Sequence, residues 1–170
     1  MAITAKTQNS ESKLDLRFGI GRALLGTGDM RAIMFENELN LNLNEYFVLG
    51  GGLGFGKSDY GVFDQASFIQ VNTNIYYSPF RNNRKNDFRI GTGLSWYSVS
   101  DVNIISFYIN GQRYDSDVEL DSRNSIGYNV ILENTYSITE KMMLGLKVFF
   151  QAYQSSDVNS GVLLKIGVRI

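Results

Sequence analysis

The stretch that most limits what this chain can fold into is its last one, residues 161–170. Val162, Leu164, Ile166, Val168 and Ile170 alternate without a break with Gly161, Leu163, Lys165, Gly167 and Arg169. A period of two is a β-strand with two unlike faces, whereas a helix would mix the two sets. The apolar set runs to the final residue, so this strand is expected to lie inside a sheet and not in a solvated tail. Its hydrogen-bonding edge then needs a partner, for which the first strand of the chain is the candidate.

The same period recurs upstream. Residues 13–20 set Leu14, Leu16, Phe18 and Ile20 against Lys13, Asp15, Arg17 and Gly19. Residues 31–42, 47–56, 66–77, 87–98, 125–136 and 143–153 repeat the alternation. Connections at 43–45, 78–86 and 137–140 fall at one end, and those at 22–30, 57–65, 99–124 and 154–160 at the other, which carries the longest. Inside 99–124, the run Ile109-Asn110-Gly111-Gln112 is a hairpin signal, so that interval is expected to project as a β-ribbon. The pattern predicts an all-β, eight-stranded antiparallel up-and-down barrel. Residues 13–170 form its single domain, preceded by a polar N-terminal lead, 1–12.

Alternation alone does not say which face is outside, because a ligand-carrying soluble barrel is apolar within and a membrane barrel apolar without. Residue types decide it. One face carries Asp15, Arg17, Glu36, Glu38, Arg89, Glu133, Lys147, Lys165 and Arg169 among amides and glycines. Balanced charges with small residues suit a narrow interior, where ions can pair. The other face is almost wholly aliphatic and aromatic. It places Phe18, Phe35, Phe55, Trp96, Tyr128 and Phe150 toward the long-loop end, and Phe47, Tyr77, Phe88 and Tyr136 toward the short-turn end. Two aromatic rings around an aliphatic band are the girdles of a transmembrane β-barrel.

Composition removes several function classes. There is no histidine and no cysteine, so His-based hydrolysis, HExxH chemistry, disulfides and thiolate metal sites are excluded. Lys plus Arg number 16 against 17 Asp plus Glu, which gives no electrostatic ground for nucleic acid. No run of about 20 apolar residues exists for a spanning helix. The first ten residues lack the apolar core of a signal peptide, so an exported protein would be represented here by its mature form.

Over residues 13–170 the chain resembles the small eight-stranded bacterial outer-membrane barrels, of which the transmembrane domain of outer-membrane protein A is one. In that family the last strand alternates apolar residues and is read by the barrel-assembly machinery. Val162, Leu164, Ile166 and Val168 match, and Ile170 stands where the family ends on an aromatic. The resemblance implies the outer membrane of a Gram-negative bacterium, porin-like architecture and outer-membrane lipid as surroundings. A peptidoglycan-anchoring role is not expected to carry over to residues 13–170.

Four local features have both a functional and a plain reading. Gly51 to Ser58 fits GxxxxGK[ST], but a phosphate loop needs a following helix, and glycines on an inward strand face simply make room. The interior charges read either as an ion path or, with better fit to an eight-stranded bore, as a salt-bridged plug. Inward Phe68, Tyr97, Phe149 and Tyr153 could line an apolar mouth pocket or pack beneath the loops. Asp101, Asp115, Asp117, Glu119 and Asp121 make the longest loop acidic and could hold calcium, but EF-hand spacing is absent and loop carboxylates are usually just solvated; Phe107, Tyr108 and Tyr114 there could touch a partner or bury one another in the ribbon. The expected function is a non-enzymatic integral outer-membrane barrel with a plugged polar interior, no catalytic or metal site and no cofactor. Its role would be structural, or adhesion and extracellular partner binding through 99–124. The alternative is a narrow channel or binding protein for small hydrophobic molecules.

Overall fold

The computed structural model describes residues 13–26, 30–58, 65–109 and 112–170, with no side-chain description at 65, 102–109 and 113–120. Eight strands follow in order: β1 (Leu14–Leu25), β2 (Met30–Asn42), β3 (Phe47–Ser58), β4 (Gln65–Tyr77), β5 (Asn86–Ile109), β6 (Gln112–Ser137), β7 (Met142–Tyr153) and β8 (Val158–Arg169). Each pairs antiparallel with the next, and β8 returns to β1 in a closed barrel. The closing register sets Phe18 against Ile166 and Ile20 against Leu164, so the terminal strand that needed a partner finds it in the first one.

Burial follows the alternation. Asp15, Arg17, Glu36, Glu38, Arg89, Glu133, Lys147 and Lys165 are each at most 2% exposed, while Leu94 is 66%, Leu164 54% and Ile20 51% exposed. Ions inside and aliphatic side chains outside invert the arrangement of a water-soluble protein. They give the wall a lipid-facing surface that a closed sheet can present without orphaned backbone groups.

The strands are longer than the polarity pattern indicates. β1 continues past residue 20 to Leu25, so the expected loop 22–30 shrinks to the residues between Leu25 and Met30. Geometry continues there while polarity reverses: Arg22 points outward, and Ala23 and Leu25 point in. This extension also puts Phe18 near the middle of β1, two residues before Ile20, the partner of Phe35. β3 runs to Ser58, and β8 begins at Val158, ahead of the expected 161. The interval 99–124 is the continuation of β5 and β6, paired from Asn86↔Tyr136 out to Ile109↔Gln112 with a register shift at Ile105/Ser106. The hairpin tip itself, 110–111, lies outside the described residues.

The short-turn end is held by local chemistry. Asn44 Oδ1 accepts from the Tyr46 and Phe47 amides at 2.8 and 2.9 Å, an Asx turn. Thr139 Oγ1 accepts from the Met142 amide at 2.9 Å in the 137–141 turn. In the 78–85 turn, bonding to Tyr46 raises the Arg81 guanidinium above its ordinary pKa, and Tyr136 does the same for Lys85.

Candidate functional site

Because inward positions recur at every second residue, strand register alone decides which polar side chains meet inside. Toward the short-turn end the encounter is ionic. Lys147 Nζ lies 2.8 Å from Glu36 and 2.9 Å from Glu38. Lys165 Nζ reaches Glu38 at 2.8 Å, Glu133 at 3.1 Å and Glu36 at 3.3 Å. Arg17 bonds Asp15 at 2.8 Å and also Glu133, while Arg89 bonds Asp87 at 2.6 Å. The Tyr76 hydroxyl and Asn40 amide donate to Glu38 at 3.1 and 2.7 Å. An isolated ion here would cost several kcal/mol, and multiple partners around each charge are what make its burial tolerable.

Above this layer lies an amide layer. Gln151 donates to Asn72 at 3.1 Å, Ser95 to Asn72 at 2.6 Å, and Asn159 to Gln70 at 2.9 Å. The loop end is then closed by aromatics. Tyr97 and Tyr153 stack at 4.6 Å between centroids, with Phe68 5.9 Å from Tyr97. Phe68, Tyr97, Phe149 and Tyr153 are 5%, 1%, 3% and 6% exposed, so all four are buried at this end of the bore.

Of the charged residues expected inside, Arg169 stays apart: it is half-buried at the rim, bonding Ser137 Oγ at 2.9 Å. Asp87, Tyr76, Asn40 and Thr135 join the network instead, with Thr135 Oγ1 3.1 Å from Arg17. Their inward parity was visible in the sequence, but uncharged or strand-end residues gave no reason to single them out. At the loop side, Arg123 of β6 clasps Asp101 of β5 at 2.6 Å and Asp157, before β8, at 2.8 Å. Asp121 is 3.6 Å from the same guanidinium. These two loop carboxylates, Asp101 and Asp121, are thus partnered by a cation. The side chains of Asp115, Asp117, Glu119, Phe107, Tyr108 and Tyr114 lie outside the described residues. The GxxxxGK[ST] match is extended strand throughout, with no helix after it among the described residues.

No sequence-family model and no curated protein sequence matches the chain. Solved structures do. Neisserial surface protein A superposes with a TM-score of 0.68 at 12% identity, over 92% of this chain and 96% of that one. The attachment invasion locus protein of Yersinia pestis gives 0.64 at 10% identity, over 94% and 99%. The N-terminal β-barrel domain of Pseudomonas aeruginosa OprF gives 0.58 at 12%, over 90% and 96%. Identity this low speaks for architecture alone, and over nearly its whole length the architecture agrees: this chain has the fold of the small eight-stranded outer-membrane β-barrels.

Proposed function

We propose that the chain is a non-enzymatic integral protein of a bacterial outer membrane, in which a sealed barrel carries the β5–β6 ribbon outside the cell as a surface for adhesion or partner binding. One observation carries this reading. β4 stops pairing with β5 at Gln65↔Val102, and β7 stops pairing with β6 at Gly127↔Tyr153, yet β5 and β6 pair with each other out to Ile109↔Gln112. Seven residues beyond Val102 amount to roughly 23 Å of two-stranded ribbon above the wall. Both of its outer edges offer backbone donors and acceptors, the template for strand addition by a partner.

The charge of the ribbon narrows the partner. Beyond the Arg123 clasp, residues 103–120 hold Asp115, Asp117 and Glu119 against Arg113 alone. A cationic protein surface complements that ribbon and a polysulfate does not. The Yersinia barrel of the same fold has been crystallised with the heparin analogue sucrose octasulfate. Transfer of that ligand class to this ribbon is disfavoured by its acidity. The absence of histidine, together with carboxylates already committed to ion pairs, supports a non-catalytic role.

The test compares proteoliposomes carrying the wild type with those carrying a variant in which residues 104–119 are replaced by Asn-Gly, flowed over immobilised basic matrix proteins and over heparin. Retention on a basic protein that is lost with the ribbon is the expected result. Equal retention of both, or of neither, would sink the ribbon as the binding element. The conduit alternative is weakened by the ionic and aromatic filling. Steady ion steps in planar-bilayer recordings would revive it.

A further inference from the structure

The outward face of a membrane barrel should be apolar at acyl-chain depth and need not be charged above it. Three cations nevertheless stand together there. Arg22 on β1, Arg31 on β2 and Lys57 on β3 are all exposed and all outward by parity. The register makes them neighbours. Arg31 faces Leu24, and Arg22 faces Ile33, so the two guanidinium-bearing positions are diagonal across the β1–β2 pair. Lys57 faces the same Ile33 from the other side. The register carries this row on through Ser67, Ser100 and Ser122 of β4, β5 and β6 and through Val162 and Val148 of β8 and β7, none of them charged.

Depth gives the cluster its meaning. Phe35 and Phe55 stack at 5.4 Å in the aromatic ring at this end, and Phe35 pairs with Ile20. Arg22 and Lys57 lie two residues loopward of that ring, and Arg31 four, which is roughly 7–13 Å along the strand. Lipid headgroups occupy that level. Beside the arginines the wall is indented by a groove of about 690 Å³ lined by Arg22, Leu24, Arg31, Val148, Ser160 and Val162, together with Ala23, Phe149 and Gly161. The indentation has a local cause. Ser160 pairs with Leu24 on one side and Phe150 on the other, so a small side chain stands between two large ones. Among the described residues no carboxylate lines it.

We propose that this groove seats one phosphorylated lipid of the surrounding outer leaflet. An acyl chain lies along Leu24, Val148, Ser160 and Val162, and the phosphate is held by Arg22 and Arg31, with Lys57 placed for a second anionic group. Charge and shape argue together. Guanidinium pairs match phosphate geometry, and an aliphatic trough matches a hydrocarbon chain but nothing in water. A soluble anion would find the charges without needing the trough.

Native mass spectrometry of the detergent-solubilised barrel tests this, with diphosphoryl lipid A as the probe and its fully dephosphorylated form as the comparison. A one-to-one adduct with the phosphorylated probe is expected, weakened roughly tenfold or more in R22Q/R31Q, the loss of charge-assisted bonds to one phosphate. S160W, which fills the trough and leaves all three cations, should weaken it as well. R84Q/K85Q, which removes two cations from the opposite end, should bind as the wild type does. Heat-modifiable migration in SDS verifies that each variant is folded. Undiminished binding in both R22Q/R31Q and S160W would overturn the proposal, as would equal binding of the dephosphorylated probe. Displacement by millimolar inorganic phosphate would overturn it too, by showing a site for a free anion.

Discussion

Glu38 is the residue on which the interior turns, accepting from Lys147, Lys165, Tyr76 and Asn40, which sit on β7, β8, β4 and β2. Removing its charge leaves two lysines buried with fewer partners, the costly way to break an ion cluster. Glu38→Leu should lower the free energy of unfolding by about 3–5 kcal/mol, measured by urea titration of the barrel in lipid vesicles. Adding Lys165→Met should recover part of that loss; no recovery would mean that packing and not charge is at issue. Glycines complement the aromatics in the same space. An added Cβ would meet Phe68 at 2.6 Å from Gly56, Tyr76 at 2.5 Å from Gly91, Tyr153 at 2.6 Å from Gly127 and Phe149 at 2.9 Å from Gly161. Each of these glycines is the direct cross-strand partner of the ring that covers it. Gly91→Val should therefore cost about 1–3 kcal/mol by overpacking. In a double-mutant cycle, Tyr76→Ala should be less damaging in the Gly91→Val background than alone, and strict additivity would refute the pairing.

At the scale of elements, β5 and β6 are unlike the other six, since they run far past the wall with only each other for company. The register shift at Ile105/Ser106 twists the ribbon, a common way of blunting an exposed edge. Its base is fastened by Arg123, which ties β5 to the chain just before β8 through Asp101 and Asp157. Arg123→Ala should raise amide hydrogen exchange across 101–124 while leaving exchange in β1–β3 unchanged. Unaltered protection there would show that the ribbon stands without its clasp. The groove on the opposite flank depends on a single small residue in β8, so strand composition shapes the outer wall as well as the bore.

For the whole molecule, closure is what converts eight half-apolar strands into a stable object in lipid, because no edge remains within the wall. Outward positions then obey the membrane and inward ones obey their neighbours. Leu164→Arg, in the lipid-facing band, should cost about 2–4 kcal/mol in vesicle refolding. The same change at Leu24, which faces Arg31 at the loop end of β1, should cost under about 1 kcal/mol, since the penalty falls toward the interface. Equal costs at both depths would contradict the assigned span. Strand number, up-and-down order, the apolar exterior and the charged interior were all legible in the sequence, because a period of two separates two solvents residue by residue. The last strand announced its own need for a partner in the same way. Strand ends were not legible where polarity and geometry part company, as at Arg22 and Ala23, since a pattern defined by hydrophobicity ends at the membrane surface while hydrogen bonding continues. Nor could periodicity show that Glu38 gathers two lysines, that Arg169 stays at the rim, or that Arg22 and Arg31 meet beside a groove. Those contacts join residues on different strands, and only the register of closure sets which of them come face to face.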